Sequence, residues 1–265
     1  MPIFISKELV AIVRQHHKSV LKGIFKLFKD SHFCDSTIRC KSTEWRVHRV
    51  VVCSQSTILN GACSNPIEEG VIVLDDDLLP FVEQMIIFLY TLNYESKLDI
   101  PEISINMEGA TDEKSMVIAP LVDAHMYALG GKYRIWRLKE LSKEKFIDSL
   151  ESASKQPYFK TCSDYIVSVI KLVYDSTPHA DRGLRDVIKS TSKEFMSSWL
   201  KLSDGRDLLR RRPQLALDIC DQIHGHPLNL PWPRTGRVEQ CGACLQKRND
   251  LRALYLCEEC DLSYL

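Results

Sequence analysis

The sequence predicts an α+β fold, on three observations. Two short alternating segments, Thr37-Ile38-Arg39-Cys40 and Glu44-Trp45-Arg46-Val47, flank the polar Lys41-Ser42-Thr43, which is the pattern of a hairpin. A β-branched run, Val71-Ile72-Val73-Leu74, is bounded by Gly70 and three aspartates and reads as a buried strand. Beyond residue 114 the regular segments up to residue 223 carry helical periodicity. Strands therefore come early and helices follow, the order expected of an α+β chain.

The elements follow in order. Residues 7–29 read as an amphipathic helix, because Leu9, Val13, Val20, Ile24 and Phe28 recur at spacings of four or seven with lysines opposite. His16 and His17 are neighbours on that helix and point in different directions, so they read as surface or boundary histidines. After the hairpin, Val50-Val51-Val52-Cys53 is a short apolar run, and Ser54-Gln55-Ser56 reads as a helix start. Residues 78–92 are apolar on nearly every face and predict a buried helix. Residues 95–114 turn polar and irregular around Pro101 and Gly109 and read as a long loop or insertion. Helices are expected over 115–130, 134–150, 163–175 and 181–199, and over 201–223 with a split at Pro213. Residues 224–237, rich in proline and glycine, read as a linker.

Composition narrows the function. Apolar residues make up 45% and charged residues 26%, enough for a globular core. Lysine plus arginine equals aspartate plus glutamate at 35 each, without the basic excess of a nucleic-acid binder. The N-terminus lacks a basic start, an apolar core and a cleavage site, and no apolar stretch reaches 18 residues. An intracellular location, cytoplasm or nucleus, is the expectation, with no membrane contact. In that reducing setting the ten cysteines point to metal or redox chemistry where they are paired. Isolated ones such as Cys53, Cys63 and Cys162 read as small buried hydrophobes.

Two Cys-x-x-Cys pairs, Cys241/Cys244 and Cys257/Cys260, stand twelve residues apart near the chain end. Each pair can place two sulfurs on one side of a tetrahedron, the geometry zinc prefers, and Leu254-Tyr255-Leu256 reads as a strand leading into the second. The expectation is one structural zinc ion on a ribbon-like tail, residues 238–265. With four sulfur ligands no coordination position stays open for catalysis. A reactive dithiol and incidental cysteines are the alternatives, and a redox role would want a βαβ context that is missing. His224 and His226 are further ligand candidates. Residues 229–265 hold five basic and five acidic side chains, so the tail offers no positive face to phosphate. The one basic run, Arg210-Arg211-Arg212, reads as a solvated helix end.

Taken together and in order, FCDSTIRC, EWRVHRVVVCSQS, VIVLDDD, FLYTLNY and MYALGGKYRIWRLKELSKEKF resemble the BTB/POZ family over about residues 30–147, most of all its fungal single-BTB branch. The resemblance implies a BTB/POZ domain over 7–150, with a small mixed sheet flanked by helices. An all-α extension over 151–223, the linker and the zinc tail would follow. It also implies a non-enzymatic protein–protein adaptor that forms homodimers or docks on a cullin scaffold of a ubiquitin ligase. Asp35 and Arg49 stand where the family often has a charged pair near the dimer groove. A partly buried pair of this kind adds little stability but can fix specificity. Read on their own, Asp35 caps a turn and Arg49 faces water. Ile67-Glu68-Glu69 stands where cullin-docking members carry a hydrophobic-x-Glu element, so Ile67 and Glu69 are candidate interface residues; read alone, it is a solvated acidic turn. His48 reads as a satisfied core histidine. Gly130-Gly131 replaces the family's alanine-aspartate, and a looser helix is expected there. No G-x-S-x-G, P-loop, H-E-x-x-H or dinucleotide fingerprint is present. The competing expectations are a BTB-type transcriptional regulator, or a self-associating scaffold whose tail touches DNA or protein. A redox sensor is the third.

Overall fold

Alternation along the hairpin places Ile38, Cys40 and Val47 on one side, and all three are fully buried. In the computed structural model the strands are β1 (Ser36–Cys40) and β2 (Thr43–Val47), antiparallel, with Ile38 opposite Trp45. The structure describes residues 19–64, 70–98, 100, 111–155, 163–199 and 203–224. All belong to the first of two compact units, Met1–Gly225; the second, His226–Leu265, lies outside them. β3 (Val71–Val73) runs parallel to β1, giving the order β2-β1-β3. Leu74, the expected last residue of that strand, still donates its amide to Arg39 O at 2.8 Å.

Helices cover the sheet. α1 is the helical stretch 19–29; residues 7–18 of the expected helix lie outside the described residues. α2 (Arg49–Gln55) and α3 (Thr57–Cys63) follow the hairpin. The valine run read as preceding a helix is itself helical, so the helix starts five residues before Ser54. Ser56 does serve as an N-cap, but of α3: its Oγ accepts from Leu59 N at 3.0 Å and donates to Tyr133 O at 2.5 Å. α4 (Leu79–Thr91) is the buried apolar helix, with eight of its thirteen residues in the core. α5 (Thr111–Lys132) and α6 (Trp136–Ser154) then pair, and α7 (Ser163–Ser176), α8 (Gly183–Trp199), α9 (Ser203–Arg211) and α10 (Pro213–His224) complete the described residues. Of the expected loop, residues 99 and 101–110 lie outside the described residues.

Two apolar cores result, and α5 belongs to both. Ile118, Val122, Met126 and Leu129 recur every three or four residues and join the sheet, α3 and α4. Leu121, Ala124 and Tyr127, on the other flank, join Phe146 and Leu150 of α6 and the apolar faces of α7 to α10. A helix apolar on both flanks is one buried on both. Between the flanks sits Asp123, fully buried, whose carboxylate accepts from Tyr94 (2.8 Å), Ser96 (2.6 Å) and Ser149 (2.7 Å) hydroxyls.

The expected loosening at Gly130-Gly131 is not what the structure shows. A Cβ on Gly130 would lie 2.8 Å from Lys139 N, so the missing side chain is what lets α6 pack close. α5 ends just after in a Schellman motif: Ile135 N donates to Gly130 O and Arg134 N to Gly131 O, with Arg134 at φ 52. Lys139, held there, pairs with Asp181 of the α7–α8 turn at 2.6 Å, and Tyr127 OH donates to the same carboxylate at 2.6 Å. This clasp ties the α5–α6 pair to the later helices.

Candidate protein-interaction face

The turn joining α1 to β1 is shaped by its own backbone and by one histidine. Ser31 N donates to Phe28 O and His32 N to Leu27 O, closing α1. His48 is buried, as expected. Its Nε2–H donates to His32 O (2.8 Å), its Nδ1 lies 2.9 Å from Tyr90 Oη, and its amide donates to that same oxygen (2.8 Å). Tyr90 stacks on Phe28 of α1, and burial pushes its phenol up to about 12.

These contacts hold Phe33 at φ 59, a left-handed conformation that a bulky residue rarely adopts, with the residue 84% exposed. Beside it Val50, in the first turn of α2, is 76% exposed. Arg46 of β2 ties the Phe33 turn to the hairpin by donating from Nη2 to Cys34 O at 3.3 Å. The result is an apolar pair set among cationic groups. Lys22, Lys26, Lys29, Arg46 and Arg49 are all exposed, and among the described residues none of them makes an ion pair within 4 Å.

Asp35 and Arg49 do meet, but through the main chain. Asp35 Oδ1 accepts from the Arg49 backbone N–H at 2.7 Å, capping the start of α2 from fourteen residues upstream. Both residues are exposed, and no ion pair joins their side chains, so the partly buried charged pair is not formed in the single chain. Ile67 and Glu69 lie outside the described residues, and so do Cys241, Cys244, Cys257 and Cys260. Phe33 and Val50 were missed from sequence. The signal available was an aromatic residue inside a polar turn, and nothing in its type announces a left-handed backbone.

A three-stranded mixed sheet under a helical cover thus carries this face. The BTB/POZ domain model matches residues 24–150, and this part of the chain is a BTB/POZ domain. BTB/POZ domains mediate protein–protein interaction and dimerisation. No curated protein matches the chain. No helix among the described residues is long and apolar enough to cross a membrane.

Proposed function

We propose that the chain is a non-enzymatic adaptor that uses its BTB/POZ domain to hold a protein partner. The observation that carries this reading is Phe33, fixed outward on a left-handed backbone beside exposed Val50 and Arg49. A strained, solvent-facing aromatic persists only where surrounding contacts hold it, and such positions concentrate at binding sites.

The finer reading is substrate adaptor of a cullin-based ubiquitin ligase, with Ile67 and Glu69 as the docking element. A titration of the full chain against the N-terminal half of a BTB-type cullin tests it, with Glu69→Lys as control. Saturable binding weakened by that substitution supports the cullin reading; no binding at tens of micromolar discards it. In the tail, Cys241, Cys244, Cys257 and Cys260 are proposed to hold one zinc ion as a structural staple, since about 35 residues rarely stabilise themselves by apolar burial. Cys257→Ser is expected to lose bound metal by elemental analysis and protease resistance in the tail alone. Unfolding of residues 1–223 in that variant would contradict the two-part reading.

A further inference from the structure

Charge along this neutral chain is segregated. Residues 1–54 carry ten basic and four acidic side chains, while residues 55–113 carry twelve acidic and one basic. Among the described residues, the two ends of the sheet carry opposite excesses of charge. β1 starts beside Phe33, Arg46 and Arg49, because Ser36 pairs with Val47. It ends beside the aspartates, because β3 runs parallel to it and Lys41 N donates to Asp75 Oδ1 at 2.5 Å. Six residues of extended chain separate the ends by about 20 Å, roughly two screening lengths at 0.1 M salt.

The first end exposes Lys22, Lys26, Lys29, Arg46 and Arg49 against Asp30 and Asp35, around Phe33 and Val50. The second exposes Glu44, Asp75, Asp76 and Glu83 against Lys41 and half-buried Arg39, around Leu78, itself 40% exposed. Asp77 is taken up by Lys132 and by Tyr133 OH. Each end thus offers an exposed apolar residue among charges of one prevailing sign, and the prevailing signs are opposite. One molecule cannot join its own ends across the sheet.

We propose that the partner of the Phe33–Val50 face is the aspartate end of a second copy of this chain, docked head to tail. The inference rests on the reading of that face as an interaction surface. A contact between unlike surfaces does not close on itself as a twofold dimer does, so it propagates into rings or short filaments. Opposed charge fields speed encounter and fix orientation, and salt weakens both.

Sedimentation of the full chain across salt concentrations is the test. Association beyond a dimer is expected at about 50 mM salt, with the dissociation constant rising at least about tenfold by roughly 500 mM. Two variants separate the ends: Lys29→Glu with Arg49→Glu, and Asp76→Lys with Glu83→Lys, each checked for unchanged circular dichroism. Each alone should be monomeric, since its two ends then carry like charge, and their equimolar mixture should associate again, since every end of one variant then meets opposite charge on the other. Phe33→Asn should lose association with an unchanged melting temperature. A wild-type chain monomeric at about 100 μM in low salt overturns the proposal. So does a dimer that survives in the Asp76→Lys variant, because two basic ends would then be pairing with each other. If self-association fails while the cullin titration succeeds, only the head-to-tail inference falls; if both fail, the adaptor reading falls with it.

Discussion

Gly130 and Gly131 are adjacent in the same helix, yet replacing each by alanine should have opposite effects. Both sit in α5, where glycine costs about 1 kcal/mol relative to alanine. At Gly131 an added Cβ meets nothing within 4 Å, so Gly131→Ala should recover most of that, about 0.5–1 kcal/mol. At Gly130 the same methyl would stand 2.8 Å from Lys139 N and 3.0 Å from its Cα. Comfortable non-bonded contacts lie near 3.5–4.0 Å, so α6 must retreat by the better part of an ångström. It is not free to do so. Lys139 N donates to Ile135 O, and the Lys139 ammonium is bound to Asp181. Overpacking against a fixed backbone costs about 1–3 kcal/mol, which outweighs the gain in propensity. The two variants should therefore differ by about 1–3 kcal/mol, the overpacking cost, with Gly131→Ala above wild type and Gly130→Ala below. Urea denaturation with unchanged slopes reads this as a split in midpoints. Stabilisation by Gly130→Ala would refute the argument that this glycine exists for close packing.

Two aspartates, one half-buried and one fully buried, should bend the pH dependence in opposite directions. Burial raises the Asp181 carboxyl, but hydrogen bonds from Lys139, Tyr127 and Gly183 N–H outweigh it and hold the group below its usual range. Its contribution is then present above about pH 4 and lost as pH falls further; Asp181→Asn should cost on the order of 2 kcal/mol at neutral pH and remove that acid-side loss. Burial is the largest influence on Asp123 and raises its carboxyl despite donation by Ser96, Ser149 and Tyr94. Its contribution is therefore greatest at acid pH and declines as pH rises above about 4, so Asp123→Asn should cost less at pH 7 than at pH 4. Thermal melts from pH 3 to 8 check both, and parallel curves for the two variants would refute the assignments.

Much of the architecture could be read from the residues, and the gaps have physical causes. The hairpin, the buried third strand and the starts of the late helices follow from period and from proline, which act locally. α2 did not follow, because its cap is supplied by Asp35 from fourteen residues away and its first turn hangs on His48 O. A run of valines carries no sign of a donor acceptor pair made in three dimensions. α5 was read as a helix but not as a helix shared by two cores. Periodicity says that a face is apolar; it does not say what covers each face. At the candidate face, Asp35 and Arg49 were singled out for a side-chain pair and meet through the Arg49 main chain instead; Phe33 was not singled out, because its conformation is imposed by α1 and His48 against its own preference.

The sharing of α5 and α6 sets the size of the folding unit. A fragment cut to the matched domain, residues 24–150, keeps the sheet but strips the cover from Leu121, Tyr127, Phe146 and Leu150. Burying one such side chain contributes about 1.5–3 kcal/mol, so exposing four forfeits on the order of 6–12 kcal/mol. That equals the whole stability of an ordinary domain, about 5–15 kcal/mol. The clasp of Lys139 and Tyr127 on Asp181 goes as well, leaving Lys139 without its carboxylate. Residues 24–150 alone should therefore bind a hydrophobic dye and unfold without a cooperative transition, while residues 19–224 should unfold in one step. A cooperative 24–150 fragment within about 2 kcal/mol of the longer one would mean that α7 to α10 rest on the domain without supporting it. In the shared-core arrangement, any partner that shifts α7 or α8 pulls on Asp181, and through Lys139 on the α5–α6 pair that backs the sheet.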